Sequence, residues 1–325
     1  MRYKSCKEVE SSIHFILNTV TFCCNCGNVG DMVYRENYNG ELIDYDDFIS
    51  VRNRFRERFI NDTIPQRCRT CASLTERDWN DDFKLSYICV AHRSKCSCNC
   101  FYCNFAPEKP QWNTREVYNI APVFERVLNT FPLEYNFMVN LVGGECSEYP
   151  KEELDGIVNE TIKHEGVIQF TTSGMFYNKK IAEVLHLSKA DLSVSPDSGT
   201  KETYERIKRV KYFDNVWENI RKYAEASTTQ RLPFPIRIKY IIIPGINDNK
   251  AEFNAFITRC MALPNTMVEI SVEYKWFEEN ADKPLTEEMI EFLGYIQSYE
   301  DKIHIAYKEA AVPTLRKIRN DFNLF

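Results

Sequence analysis

The chain has 325 residues, 44% of them hydrophobic, and a formal net charge of -6. That length can bury one core of roughly 200 to 250 residues with a smaller module attached. The acidic balance excludes a generic nucleic-acid surface, because phosphate binding needs a clustered Lys/Arg field. One short basic patch, Arg206, Lys208, Arg209 and Lys211, is expected to be a solvated helix face.

In the first 25 residues Lys7, Glu8 and Glu10 interrupt any apolar run, and no later stretch approaches about 18 consecutive apolar residues. The expected location is cytoplasmic, with no membrane segment. Thirteen cysteines in a reducing compartment suit metal ligation better than a disulfide framework. Cys23, Cys24, Cys26, Cys68 and Cys71 form an N-terminal group, and Cys96, Cys98, Cys100 and Cys103 a central one. Cys6, Cys89, Cys146 and Cys260 stand alone, Cys89 and Cys260 being expected in the core.

Residues 1–82 read as a cysteine-rich metal module. The stretch "FCCNCGNVGDMVYRENYNGELIDYDDF" has turn signals at Cys26-Gly27, Val29-Gly30 and Asn39-Gly40, and a charged helical run, "DDFISVRNRFRERFIN", follows. Such a piece has little core of its own and is expected to depend on a metal or a neighbour.

From residue 83 to 325 apolar runs alternate with amphipathic ones. Strands are expected at 83–90, 135–142, 166–172, 190–195, 234–243 and 267–277, rich in β-branched and aromatic residues. Helical spacing follows in "APVFERVLNTF", "KEELDGIVNETIKHE", "NKKIAEVLHLS", "NVWENIRKYAEA", "NKAEFNAFITRCMA" and "TEEMIEFLGYIQSY". Six strand-helix units imply an α/β fold with parallel strands and right-handed crossovers, a partial (β/α)6 TIM-like barrel. No GxGxxG follows a strand, and chemistry is expected in the loops after the strands' C-terminal ends. His14, His92, His164, His186 and His304 are scattered, so no histidine constellation argues for hydrolysis.

The loop after the first of these strands, "KCSCNCFYC", holds Cys96-x3-Cys100-x2-Cys103. Three thiolates so spaced can wrap one face of a cubane iron-sulfur cluster and leave its fourth iron open. Zinc wants four ligands. Cys98 could supply the fourth, but alternation in extended backbone points it elsewhere, so it is expected to be a spare thiol.

With Tyr102 before the last cysteine, this loop resembles that of the radical S-adenosylmethionine (radical SAM) superfamily. The resemblance extends over roughly residues 83–275. Gly143-Gly144-Glu145 after the second strand is similar to the triplet that engages the amino group of SAM, although Cys146 stands where a proline is usual. "TTSGMF" resembles the family's turn of the type Thr-Asn-Gly, and "DLSVSPDSGTKETYERIK" the segment whose polar side chains, here Ser195 and Asp197 and less so Ser193, reach the SAM ribose and carboxylate. Ile243, Pro244, Gly245 and Ile246 are the implied wall against the adenine, while Asn247 and Asp248 are expected to cap the next helix.

The resemblance implies a 4Fe-4S cluster that reductively cleaves SAM to a 5'-deoxyadenosyl radical, which takes hydrogen from an unreactive carbon. It implies an external low-potential donor, a flavodoxin or ferredoxin. Two CxxC pairs, Cys23 with Cys26 and Cys68 with Cys71, suit four-thiolate ligation, with Cys24 as the alternative ligand to Cys23. This region resembles SPASM or twitch modules, which hold auxiliary clusters in radical SAM enzymes acting on peptides, proteins and some sugars, although those modules usually follow the barrel. A second 4Fe-4S cluster is the expectation there and structural zinc the alternative. Cys146 and Cys98 are candidate hydrogen-atom donors by position. A rival reading of another class is a non-catalytic metal-binding scaffold.

Overall fold

The computed structural model describes residues 3–23, 32–69, 71, 74–79, 82–103, 118–273, 276 and 286–307. Two compact units divide the chain, Met1–Lys95 with Pro110–Phe170, and Cys96–Lys109 with Thr171–Phe325.

The first unit runs β1 (Tyr3–Cys6), α1 (Lys7–Ser11), β2 (Ser12–Ile16), β3 (Thr19–Thr21), β4 (Val33–Arg35), α2 (Tyr45–Ile60), α3 (Gln66–Arg69), β5 (Leu74–Arg77), β6 (Leu85–Ala91), α4 (Ala121–Thr130), β7 (Leu133–Leu141), α5 (Lys151–Lys163) and most of β8 (Val167–Thr172). β1 and β5 form an antiparallel pair, Cys6 opposite Leu74. β2, β6, β7 and β8 pair in parallel, and β3 and β4 extend β2 as antiparallel neighbours.

The N-terminal segment therefore contributes strands as well as cysteines. Those strands escape a reading of pattern because they are three to five residues long. The turn from β2 to β3 is made by Leu17 in the left-handed region (φ 53), with no glycine to announce it.

α2 begins where Asp44 accepts the N–H of Asp47, and it buries Phe48, Val51, Arg52, Phe55 and Phe59 at helical spacing. Phe48 packs on Phe22, Phe83 and Phe131, so this segment shares a core with the strands beside it. Each such aromatic pair adds about 0.5–1.5 kcal/mol beyond the area buried. The buried Arg52 donates to Val9 O and Glu10 O and lies over Trp79 and Phe83, closing the carbonyls after β1.

The second unit holds the end of β8, then α6 (Lys179–His186), β9 (Ala190–Val194), α7 (Lys201–Lys208), α8 (Phe213–Ala226), β10 (Ile236–Ile242), α9 (Lys250–Met261), β11 (Thr266–Val272), α10 (Glu287–Gln297) and β12 (Ile305–Tyr307). β9, β10, β11 and β12 pair in parallel. On β10, Ile236, Ile238, Tyr240 and Ile242 are buried while Arg237, Lys239 and Ile241 alternate with them, and Tyr240 meets Phe253 and Phe256 of α9.

Each of the six expected strands is present, within a few residues at its ends. Residues 274, 275 and 277, at the end of the last, lie outside the described residues. The fold is mixed α/β with parallel strands, consistent with a partial β/α barrel. Among the described residues no helix is long and apolar enough to cross a membrane.

Candidate functional site

In the first unit the chain leaves β6 as His92-Arg93-Ser94-Lys95, and a carboxylate on α5 fixes it there. Glu153 Oε1 takes His92 Nε2 at 2.8 Å and the N–H of Ile120 at 2.9 Å, while Oε2 accepts Arg93 Nε at 2.7 Å. Burial alone pushes the Glu153 carboxyl up, but His92, the Ile120 N–H and Arg93 outweigh it and leave it below the ordinary value. Burial pulls His92 down from its usual value, so its imidazole is neutral.

The glycine triplet rests on that same stretch. Val142 N donates to Val90 O at 3.0 Å, and Glu145 N donates to Lys95 O at 2.8 Å, one residue before Cys96. Gly144 has φ +55, and a Cβ there would stand 2.5 Å from Lys95 O and 2.9 Å from Arg93 O. Only glycine permits that approach. Glu145 is 1% exposed, and its Oε1 accepts the N–H of Ser147 at 3.0 Å and its hydroxyl at 2.7 Å. Cys146 is buried and starts a short turn, Cys146–Glu148.

In the second unit the cysteine loop docks on the C-terminal end of α7. Asn99 N donates to Lys208 O at 3.1 Å and Phe101 N to Ile207 O at 3.4 Å, using carbonyls that the last helical turn leaves without intrahelical partners. Cys96, Cys100 and Cys103 are half-buried and Cys98 is buried. Cys98 does not turn away from its neighbours as alternation would have it, because a bend at Ser97 interrupts the extended backbone. Its thiol donates to Met175 Sδ at 2.9 Å. Donation from Cys100 pulls Cys98 down, but a bond to Cys96 and burial prevail, and it is pushed up to about 12.

Beneath the loop lies a buried polar web. Tyr102 donates its hydroxyl to Asp197 Oδ2 at 2.6 Å, and Lys208 Nζ donates to the same oxygen at 2.5 Å and to the Tyr102 oxygen at 2.8 Å. Asp197 Oδ1 accepts Ile241 N at 3.0 Å, and its carbonyl accepts Asn247 Nδ2 at 2.9 Å. Burial alone would discharge Lys208, yet Asp197 above all holds the amine well above its ordinary value.

Two expectations change here. Lys208 is 2% exposed, so the basic patch is not wholly a solvated face. Asn247 does not cap a helix; it donates to Asp197 O and Ile241 O and accepts from Ile243 N, and Asn249 caps α9 by accepting Glu252 N. Both oxygens of Asp197 are committed inside the protein, which sets it apart from the half-buried Ser195 after β9. The wall after β10 begins with the buried Ile243, then Pro244 and Gly245 (φ +78).

Of the N-terminal cysteines, Cys24 and Cys26 lie outside the described residues. Cys68, on α3, and Cys71 are joined by a bond from Cys71 N to Cys68 O at 3.3 Å. Burial first, then the neighbouring Cys23 and Cys71, push the Cys68 thiol up. Cys6 is pushed up to about 12, mainly by burial and partly by Cys23, so this thiol, left alone by spacing, belongs to the same neighbourhood. None of the described cysteines is bridged.

A family model described as the radical SAM superfamily matches residues 90–257. The chain belongs to this superfamily. It is similar to GTP 3',8-cyclase of Thermodesulfovibrio yellowstonii, 22% identical over 53% of this chain and 52% of that one. It is also similar to a probable GTP 3',8-cyclase of Archaeoglobus fulgidus, 24% identical over 71% and 69%. The chain thus spans about half to two thirds of the curated relatives it matches. Among solved structures, Streptococcus suis SuiB bound to precursor peptide SuiA aligns with a TM-score of 0.54 at 13% identity, over 86% of this chain and 59% of that one, a likeness of fold.

A radical SAM enzyme holds a 4Fe-4S cluster and SAM, and the residues present fit them. The donor set is sulfur on a loop anchored by its own backbone, and the glycine triplet lies directly against the backbone of Arg93–Lys95 that leads into that loop. Among the described residues no three His, Cys, Asp or Glu side chains stand close enough to share one ion. A cubane asks instead that each thiolate hold a different iron corner.

Proposed function

We propose that this radical SAM enzyme uses Cys96, Cys100 and Cys103 as ligands of its 4Fe-4S cluster, and abstracts hydrogen from an unreactive carbon of a peptide, protein or sugar-type substrate. The observation that carries the ligand assignment is the bond from Glu145 N to Lys95 O, which ties the glycine triplet to the residue preceding Cys96. When bound, the cluster and SAM supply a 5'-deoxyadenosyl radical after one-electron reduction. The chain's own part is to hold the reactants. Gly143 and Gly144 allow close backbone approach of SAM's methionine moiety, Glu145 offers a carboxylate to its ammonium, Ser195 a hydroxyl, and Ile243, Pro244 and Gly245 an apolar wall. The electron comes from a flavodoxin or ferredoxin.

In the same reading Cys68 and Cys71, with Cys26 and either Cys23 or Cys24, hold a second 4Fe-4S cluster, the SPASM or twitch-like feature of the N-terminal segment. Structural zinc is the alternative. A nucleotide substrate is a second reading, favoured by the names of the two cyclase relatives.

Anaerobic reconstitution tests these points together. About eight irons per chain are expected, with 5'-deoxyadenosine formed on reduction with SAM. About four irons plus zinc would select the alternative metal, and no SAM cleavage would leave the scaffold reading. Turnover of GTP, measured beside peptides and sugars, decides between the substrate classes.

A further inference from the structure

We propose that Lys208 is a positioning residue: with Asp197 and the Tyr102 hydroxyl it sets the cysteine loop on the end of α7 in the form that takes up the cluster. The inference rests on the reading of Cys96, Cys100 and Cys103 as ligands.

The backbone comes first. α7 ends at Arg209 in the left-handed conformation (φ 57), leaving the carbonyls of Ile207 and Lys208 open to the N–H groups of Phe101 and Asn99. These bonds dock the loop on the helix end but do not fix its rotation about that contact. The side chains supply the second constraint. Lys208 reaches back beneath the loop, its Nζ 5.3 Å from the Tyr102 ring centroid and bonded to the Tyr102 oxygen. Tyr102 is the residue before Cys103, so its hydroxyl fixes the direction in which the loop's last cysteine leaves the chain.

Asp197 completes the arrangement. It sits in the left-handed region (φ 55), fully buried, with one oxygen on Tyr102 and Lys208 and the other on Ile241 N of β10. The loop is thereby referred to the strand as well as to the helix. A lysine this buried requires a paired carboxylate, and the pair, neutral overall, turns its ammonium end toward the sulfurs of Cys98 and Cys100. Three thiolates concentrate negative charge in this loop, and the ammonium, nearer to them than its carboxylate partner, offsets part of it.

A purely structural ion pair would stabilise the chain without any bearing on the cluster. The test separates the two using anaerobically reconstituted full-length protein, unaltered and as Tyr102→Phe, Lys208→Met and Lys208→Arg. Glu252→Gln, at the opposite end of α7, serves as a control for helix stability. Iron content, the electron paramagnetic resonance of the reduced cluster across a titration with SAM, which also reads SAM affinity, and the melting temperature are measured for each.

Expected for Lys208→Met is loss of the SAM-dependent spectral change, and for Tyr102→Phe roughly tenfold weaker SAM binding. Lys208→Arg, which keeps the charge, recovers part of the spectral response. Glu252→Gln lowers the melting temperature and leaves the spectrum alone.

Unchanged spectra and SAM affinity in both Lys208→Met and Tyr102→Phe, whatever their melting temperatures, overturn the proposal. If Lys208→Met does not fold, Tyr102→Phe alone decides, since it removes a single oxygen. If the unaltered protein shows no SAM-dependent signal while binding iron, the ligand reading fails and the positioning proposal with it.

Discussion

Glu252 of α9 accepts the backbone N–H of Gly199 at 2.6 Å, placing a buried carboxylate under the start of α7. The same side chain accepts Thr200 N at 3.0 Å and the hydroxyls of Thr200 and Thr203 at 2.7 and 3.0 Å. Four donors at a helix N-terminus meet one negative charge, where the helix dipole also favours it. Gly199 is required by this approach, because a Cβ would stand 2.2 Å from Phe256 N.

Glu252→Ala leaves those donors without an acceptor in a buried place. A loss of about 2–3 kcal/mol follows, which lowers the melting temperature by roughly 3–5 °C in a chain of this length. A melt that does not move would mean that α7 is held by its packing alone.

Gly144→Ala is expected to abolish SAM binding while leaving the fold. The added methyl meets Lys95 O and Arg93 O at under 3 Å, and alanine is strained at φ +55. The backbone must then move away from residues 93–95. Equilibrium dialysis with labelled SAM reads the effect, alongside circular dichroism to show that the helices remain. Retained SAM affinity would break the link between the triplet and the ligand.

His92 and Glu153 predict the acid limb of stability. His92 has its folded value lowered below 6.5, so as pH falls the unfolded chain takes up a proton before the folded one does. Stability contributed by the neutral imidazole is complete above about pH 6.5 and declines below it. Its Nδ1 is buried without a hydrogen-bond partner among the described residues, so a proton placed there finds no acceptor.

Glu153, lowered from 4.5, adds a second decline that begins near that value and is complete once pH has fallen through its folded value. Urea melts of the metal-free protein from pH 8 to 2 check this. His92→Gln should flatten the first decline and, because His92 is the main group that lowers Glu153, shrink the second as well; an identical profile in the variant would refute the assignment.

How much of this was open to sequence reading follows from the range of the interactions. The expected strands were visible because their alternation and β-branched content are local, as in "IRIKYII" of β10. The cysteine spacing and the glycine triplet are also local, and so is the rule that a close backbone approach demands glycine. Helical position places Lys208 on a solvated face, whereas its burial depends on Asp197, 11 residues away, and Tyr102, 106 away. Cys6 was set aside for the same reason. It approaches the other thiols through the pairing of β1 with β5, which a four-residue strand does not advertise.

Asn247 gives the sharpest contrast between a local and a tertiary reading. A polar residue just ahead of a helix looks like a cap, yet this amide is fully buried and joins three backbone groups, Asp197 O at 2.9 Å, Ile241 O at 2.8 Å and Ile243 N at 2.6 Å. It thereby fixes the turn after β10 against the turn after β9. Asn247→Leu has nearly the same size and removes every one of these bonds, leaving buried backbone groups to lose about 1–3 kcal/mol apiece. Residues 243–245 are then free to shift, so SAM affinity falls together with the melting temperature. Asn247→Asp separates the two effects, since it can still accept from Ile243 N but meets Asp197 O and Ile241 O with an acceptor. Fluorescence titration with SAM and a thermal melt of both variants measure this, and full SAM affinity in the Leu variant would show that the turn holds its form without the amide.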